Sequence, residues 1–166
     1  MKGNLRQALD NTNTVYNNLV VIADDIARDK IKPIKDVIDM AGNVKDLTDS
    51  QIRNLIVLLS MRSFSFSEAK EHAVLHAACA EALRKEAHAK VFIEADGAQG
   101  AKENKANIET ADEIMTEAVY DLVAALLKGA QDECHRIVDA LKTVLMSRMQ
   151  EAKLMAQVNA DRAPIE

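Results

Sequence analysis

The feature that most constrains the fold is the stretch of residues 68–94, which contains neither glycine nor proline. Alanine, glutamate, lysine and leucine dominate it, and these residues lose little free energy on entering a helix. A helix of this length is a rod of roughly 40 Å. Ser65 and Glu68 have the spacing of a capping box, which predicts that the helix begins at this point.

A reversal of the chain is predicted at residues 96–100, where Gly97 and Gly100 lie close together. The chain becomes helical again near Asn107 and continues to Val158, with only Gly129 to weaken the helix. The sequence therefore predicts an all-α protein built on a long antiparallel helical hairpin of the coiled-coil type. The second helix of the hairpin is longer than the first.

A register for this hairpin follows from small and apolar residues that recur every three or four positions, as in a coiled-coil seam. Three layers of facing alanines allow the backbones to approach closely, and Leu83 and Met115 are expected to fill the space between them. In this register the facing pairs are Ala73–Ala125, His76–Leu122, Ala80–Ala118, Leu83–Met115, Ala87–Ala111 and Lys90–Ile108.

The first 64 residues are predicted to form a region of short helices, and residues 65–166 to form the hairpin with a C-terminal overhang. A first helix is expected at residues 4–28, with a start near Thr14 as an alternative, and Pro33 is expected to separate it from a short helix at residues 34–40. Gly42 and Asn43 end that short helix.

A third helix is predicted to begin with Thr48 or Asp49 as its cap and to end near Arg62. Residues 63–66 are then expected to be a hinge, with Phe64 and Phe66 stapling the joint to the hairpin.

The overhang, residues 134–158, carries a wide apolar band that has no partner inside the predicted hairpin. Such a band is expected to be buried, either against the N-terminal helices or against other copies of the chain. The predicted oligomerisation residues are Ile137, Leu141, Leu145 and Met149.

Composition limits the function classes. A net charge of -5 and a pI near 5.4 argue against a generic nucleic-acid coat protein. No apolar run approaches the length of a membrane span, and Met1-Lys2-Gly3-Asn4 does not open a signal peptide, so a cytoplasmic location is expected. Cys79 and Cys134 occupy helical positions expected to be interior, which suits reduced thiols and no disulfide.

No catalytic motif is present, so the chain is predicted not to be an enzyme and to need no cofactor. His72, His76 and Cys79 share one helical face at a spacing that suits metal ligands. The simpler interpretation is that His76 packs in the seam and Cys79 behaves as a small apolar residue, and no metal site is predicted.

A basic strip is predicted around the distal end of the hairpin, where cations could follow a phosphate backbone while an aromatic ring stacks on a base. Interleaved glutamates allow the alternative that these cations form ordinary surface salt bridges. A second basic cluster, at residues 28–35, has the same two alternatives, nucleic-acid binding or surface salt bridges. The candidate nucleic-acid-binding residues of the strip are Arg84, Lys85, Lys90, Phe92, Lys102 and Lys105.

The segment from Ser67 to about Lys153 resembles the UvsY-type recombination mediators of bacteriophages. The resemblance is carried by the pairs His72-Ala73 and His76-Ala77, the Ala/Glu/Leu/Lys helix through Lys90, the glycine-bearing break, the restart Asn107-Ile108-Glu109-Thr110-Ala111 and the ending Gln150-Glu151-Ala152-Lys153.

The resemblance implies helical hairpins assembled into a ring-like homo-oligomer that binds single-stranded DNA and assists a recombinase or annealing protein. By position, the DNA contacts would then come from Arg84, Lys85, Lys90, Lys102 and Lys105, and oligomerisation from residues 134–158. Two other functions stay open: a phage structural or assembly protein, such as a scaffold or chaperone, and an inhibitor of a host defence system whose acidic surface mimics nucleic acid.

Overall fold

The protein is a bundle of long helices. The structure, a computed structural model, describes the backbone of residues 2–161 and the side chains of residues 13–39 and 42–159. This confirms the predicted all-α class, because no strand occurs within residues 2–161. The elements are α1 (Lys2–Ala41), a 3₁₀ turn (Val44–Asp46), α2 (Asp49–Glu94), α3 (Gln99–Glu109) and α4 (Ala111–Asp161).

α1 is one helix, and the predicted break at Pro33 is wrong. Residues 11–14 are also helical, so the alternative start near Thr14 is wrong too. A proline removes one hydrogen bond and crowds the preceding turn, but tertiary packing can outweigh this cost. Here Ala27 and Ile34 are buried on either side of the proline, and Ile31 packs against the same core.

α2 is also one helix, and it begins at the predicted cap. The amide of Gln51 donates to Thr48 Oγ1 at 3.3 Å, and the amide of Thr48 donates to Gln51 Oε1 at 2.8 Å, which completes a capping box. This confirms Thr48 rather than Asp49 as the cap.

The predicted hinge at residues 63–66, with a new helix start at Ser65, is wrong because α2 continues through it. The hydroxyls of Ser63 and Ser65 donate to main-chain carbonyls three residues earlier, at 2.9 and 2.7 Å, so they are satisfied without leaving the helix. The boundary drawn between residues 64 and 65 therefore lies inside α2.

The reversal at residues 95–98 agrees with the prediction, and Gly97 adopts a φ of 111° that favours glycine. The returning segment is already helical at Gln99, earlier than predicted, and is interrupted at Thr110. The amide and hydroxyl of Thr110 both donate to the carbonyl of Ala106, at 3.1 and 2.9 Å. α4 then passes Gly129 without a break.

α4 lies at the centre of the packing, with α2 antiparallel to it and α1 parallel to it. All three helices contribute to a single core that runs along the bundle. Its buried members are Ala23, Ala27, Ile34, Ile52, Leu59, Phe66, Ala73, Val119, Val123, Leu127, Cys134, Val138 and Leu141.

The predicted register is close to the observed one. It places Ser67 opposite Gln131, and Gln131 Nε2 donates to Ser67 Oγ at 2.9 Å. It places His76 opposite Leu122, whereas the His76 ring stacks on Tyr120, two residues away, with 4.6 Å between centroids.

The predicted seam is wrong at its apolar layer, since Leu83 is 60% exposed and Met115 is 46% exposed. Ala73 and Ala80 are buried as predicted, whereas Ala125 and Ile108 of the predicted seam are exposed. The third helix explains the difference: a core shared with α1 is centred on a different face of α4 from the seam of a two-helix hairpin.

None of the helices described here combines the length and the apolar character needed to cross a membrane.

Candidate functional site

Of the predicted nucleic-acid-binding residues, Arg84, Lys85, Lys90 and Phe92 lie on the last three turns of α2, and Lys102 and Lys105 lie on α3. Buried Ala95 and Ala106 hold the turn and α3 against the rest of the bundle. The amide of Ala95 donates to the carbonyl of Val91 at 2.9 Å and so completes the last turn of α2.

Arg84 joins two helices. Its Nε donates to Glu117 Oε2 across α2 and α4 at 3.0 Å, and both side chains are mostly shielded from water. Removing either partner would leave a partly buried charge. This guanidinium is therefore positioned to hold the bundle together.

The other lysines of the strip are mostly paired on their own helices. Lys85 Nζ lies 2.6 Å from Glu81 Oε1, Lys90 Nζ lies 2.6 Å from Glu86 Oε1, and Lys105 Nζ lies 3.8 Å from Glu109 Oε1. The hydrogen bond from each lysine, followed by its charge, holds the pKa of Glu81 and of Glu86 below the ordinary value, and Glu86 raises the pKa of Lys90. These contacts fit the salt-bridge alternative, although exposed pairs exchange partners easily.

Lys102 differs from the other cations of the strip. It is half-exposed, stands near the start of α3 and forms no ion pair with the side chains that the structure describes. Ala98, the N-cap of α3, makes no side-chain capping hydrogen bond. Phe92 is half-buried and stacks on His88 with 6.3 Å between ring centroids, so its ring already has a partner.

The second basic cluster is also partly neutralised. Arg28 forms an ion pair with Asp25, and Arg28, Lys32 and Lys35 share a shallow depression with Asp24.

The predicted oligomerisation residues divide into two groups. Leu141 is buried, and Ile137 and Leu145 pack against the same core. Of the two predicted ways to bury this band, packing against the N-terminal helices is the one observed for these three residues. Met149 is 50% exposed and lies beyond the covered part of α4.

Arg148 marks where the covered part of α4 ends. Its guanidinium donates to the carbonyls of Leu47, Val44 and Lys45 at 2.7, 3.2 and 3.3 Å, and to Asp49 Oδ1 at 3.0 Å. It thereby ties α4 to the connection between α1 and α2. The true overhang begins after this residue rather than at residue 134.

The histidines and cysteines differ in their surroundings. His76 is engaged with Tyr120, Cys79 is exposed rather than interior, and Cys134 is buried. Both cysteines are free thiols. Within the side chains described, residues 13–39 and 42–159, no three His, Cys, Asp or Glu residues are grouped so that they could hold a metal ion.

The most extensive feature that the sequence reasoning missed is an apolar stripe on the outer face of α2, directly opposite the face that packs on α4. It consists of two groups of side chains spaced mostly three or four residues apart, at residues 57–64 and 75–83, with the exposed polar residues Glu68 and His72 on the same face between them. We call this the α2 stripe; its members are Val57, Leu58, Met61, Phe64, Leu75, Cys79, Ala82 and Leu83.

The signal for the α2 stripe was present in the sequence, because the spacing within each of its halves is that of a coiled-coil seam. The predicted hinge at residues 63–66 divides the α2 stripe between two helices. The predicted hairpin seam includes Leu83, which belongs to the stripe.

Comparison with family models, with curated proteins and with solved structures finds no match to this chain.

Proposed function

We propose that the protein is a non-enzymatic helical assembly protein that associates with copies of itself through exposed apolar helix faces. The observation that carries this proposal is the α2 stripe. Met61 is 66% exposed and Phe64 is 77% exposed, and they lie one turn apart on the same face. Exposed apolar surface of this kind marks interaction sites in soluble proteins.

The total surface supports the same proposal. The accessible area is 12222 Å² for a chain of 18.2 kDa, whereas a compact monomer of that mass exposes about 8,100 Å². The excess is several times the roughly 800 Å² that each partner contributes to a standard interface. An elongated bundle with this much surface has room for more than one interface.

The form of the stripe indicates a helical partner. Within each half of the stripe, the members follow the three- and four-residue spacing by which one helix packs along another. A small-molecule site would instead be a concave pocket with converging polar groups.

Sedimentation velocity over a range of protein concentrations tests the proposal. We expect an oligomer whose population grows with concentration, and we expect the double variant Met61→Lys/Phe64→Lys to be monomeric with unchanged helical circular dichroism. The matched control is Ile108→Lys, because Ile108 is equally exposed but lies at the distal end. A wild-type protein that stays monomeric at every concentration would overturn the proposal.

A second candidate function is that of a single-stranded-DNA-binding recombination mediator, acting as a homo-oligomer with a recombinase or annealing protein. Lys102 supports it: this lysine forms no ion pair among the described side chains and lies near the start of α3. The amides at a helix N-terminus together with a lysine suit a phosphate.

Fluorescence anisotropy of a labelled single-stranded oligonucleotide at two salt concentrations tests this second function. Binding through the distal end should weaken steeply with salt, and Lys102→Glu should weaken it far more than Lys142→Glu. Lys142 is an exposed lysine on α4, paired with Asp139 and remote from the distal end. Equal effects of the two variants, or no binding, would exclude the distal end as the site.

A further inference from the structure

The α2 stripe is arranged symmetrically about Lys70. Met61 and Cys79 each lie nine residues from Lys70 in opposite directions, and Phe64 and Leu75 lie six and five residues from it. We propose that two copies of the chain pair through this stripe, with their α2 helices antiparallel and crossing near residue 70. This proposal rests on the proposed self-assembly and specifies its geometry.

Twofold symmetry makes this arrangement self-complementary. In an antiparallel pair related by a twofold axis, each line of side chains along one helix faces the same line on the other copy. Met61 and Cys79 are 18 residues apart, which is five helical turns, so they lie on one such line. Phe64 and Leu75 are 11 residues apart, about three turns, and share another line.

The pairs then match across the interface. Met61 of one copy faces Cys79 of the second copy, and Phe64 faces Leu75; the two ends are closed by Val57 against Ala82 and by Leu58 against Leu83. Every one of these side chains is exposed in the single chain. A parallel pair would instead place each of these residues opposite itself.

The charges at the centre of the stripe fit the antiparallel pair at one position and oppose it at another. Glu68 and His72 are both exposed and lie two residues on either side of Lys70, so each copy sets a carboxylate against the other's imidazole. Glu71 approaches Glu71 of the second copy along the flank, since it lies next to the axis. Removing this like charge therefore tests whether residue 71 lies next to the twofold axis.

Thiol cross-linking tests the geometry. Met61→Cys introduces a thiol that faces the native Cys79 of the second copy but lies roughly 27 Å from Cys79 of its own chain. A short bis-maleimide should convert this variant into a covalent dimer, with the peptide around residue 61 joined to the peptide around residue 79 in mass spectra. The double variant Met61→Cys/Cys79→Ser should give no dimer.

The charge variant gives an independent measurement. Glu71→Gln should tighten the dimer about two- to threefold in sedimentation equilibrium, because a like-charge contact is removed. Glu94→Gln, a substitution at the distal end of the same helix, should leave the dissociation constant unchanged.

The outcomes separate this inference from the proposed function. Cross-linking between residues 61 and 79 together with a tighter Glu71→Gln dimer supports the antiparallel pair. A covalent dimer of Met61→Cys/Cys79→Ser, joined through residue 61 on both chains, would overturn the antiparallel geometry while leaving self-assembly intact. An oligomer that gives neither cross-link would place the interface away from the stripe, and a monomeric protein would overturn both proposals.

Discussion

Phe64 and Phe66 provide the sharpest test of the fold, because two phenylalanines only two residues apart are assigned to opposite faces of α2. Phe66 is 0% exposed and packs among the helices, whereas Phe64 is 77% exposed. Truncating a buried phenylalanine to alanine removes its apolar contacts and leaves a cavity, at a cost of about 3–5 kcal/mol. Truncating an exposed one changes stability by no more than about 0.5 kcal/mol.

Each of the two Phe→Ala variants serves as the control for the other. Both substitutions gain the same helix propensity, since both replace phenylalanine by alanine inside one helix. At about 2–4 °C for each kcal/mol in a chain of this size, Phe66→Ala should lower Tm by roughly 6–20 °C and Phe64→Ala by less than about 2 °C.

Urea denaturation followed by circular dichroism, at protein concentrations below self-association, measures both variants. Equal losses of stability would mean that both rings are packed, as expected if residues 63–66 were the hinge predicted from the sequence. A loss below about 1.5 kcal/mol for Phe66→Ala would refute its place in the core.

Three other features of the structure can be tested by substitution or by thiol labelling. Arg148→Ala should lower the free energy of unfolding by about 1–3 kcal/mol, because it leaves carbonyls of the α1–α2 connection without their donor, and Arg148→Lys should restore only part of the loss in urea denaturation. Thr48→Ala should cost about 0.5–2 kcal/mol through loss of the capping box, whereas Thr143→Ala, on the exposed face of α4, should be nearly neutral in the same assay. Cys79 should react with a thiol reagent in the native monomer while Cys134 reacts only after unfolding, because burial raises the pKa of the Cys134 thiol and shields it; equal rates would contradict its buried position.

The all-α class, the chain reversal near Gly97 and the Thr48 cap were predictable because each depends on local chemistry. Helix propensity, the φ that glycine tolerates and a cap three residues from its partner are all properties of a few neighbouring residues. The approximate register of α2 and α4 was predictable for a related reason, since the turn at residues 95–98 is short and the chain is helical on both sides of it.

The errors arose where local signals were opposed by packing. Pro33, residues 11–14 and the serines at residues 63 and 65 each weaken a helix locally, and each lies within a continuous helix in the structure. Buried side chains on either side of these residues keep the helix intact. Their contribution cannot be inferred from the neighbouring residues alone.

The candidate sites were predicted less well, because a site depends on what lies opposite each side chain. The sequence assigned the cations of the distal end to the last turns of the first long helix and to the start of the returning segment. It left open whether they were free, and the structure pairs Arg84 with Glu117 on another helix. Nothing local indicates that a residue 33 positions away neutralises this guanidinium.

The sequence by itself determined that this chain is helical, where it reverses and roughly how α2 aligns with α4, because those properties depend on short-range propensities and spacing. Only the tertiary structure decided which face of each helix is buried. α1 joins the hairpin as a third helix, covers Leu141 and its neighbours on α4, and leaves Phe64, Met61 and Leu83 outside. A helix with apolar residues on two faces can bury either one, and the choice is made by what the rest of the chain brings against it.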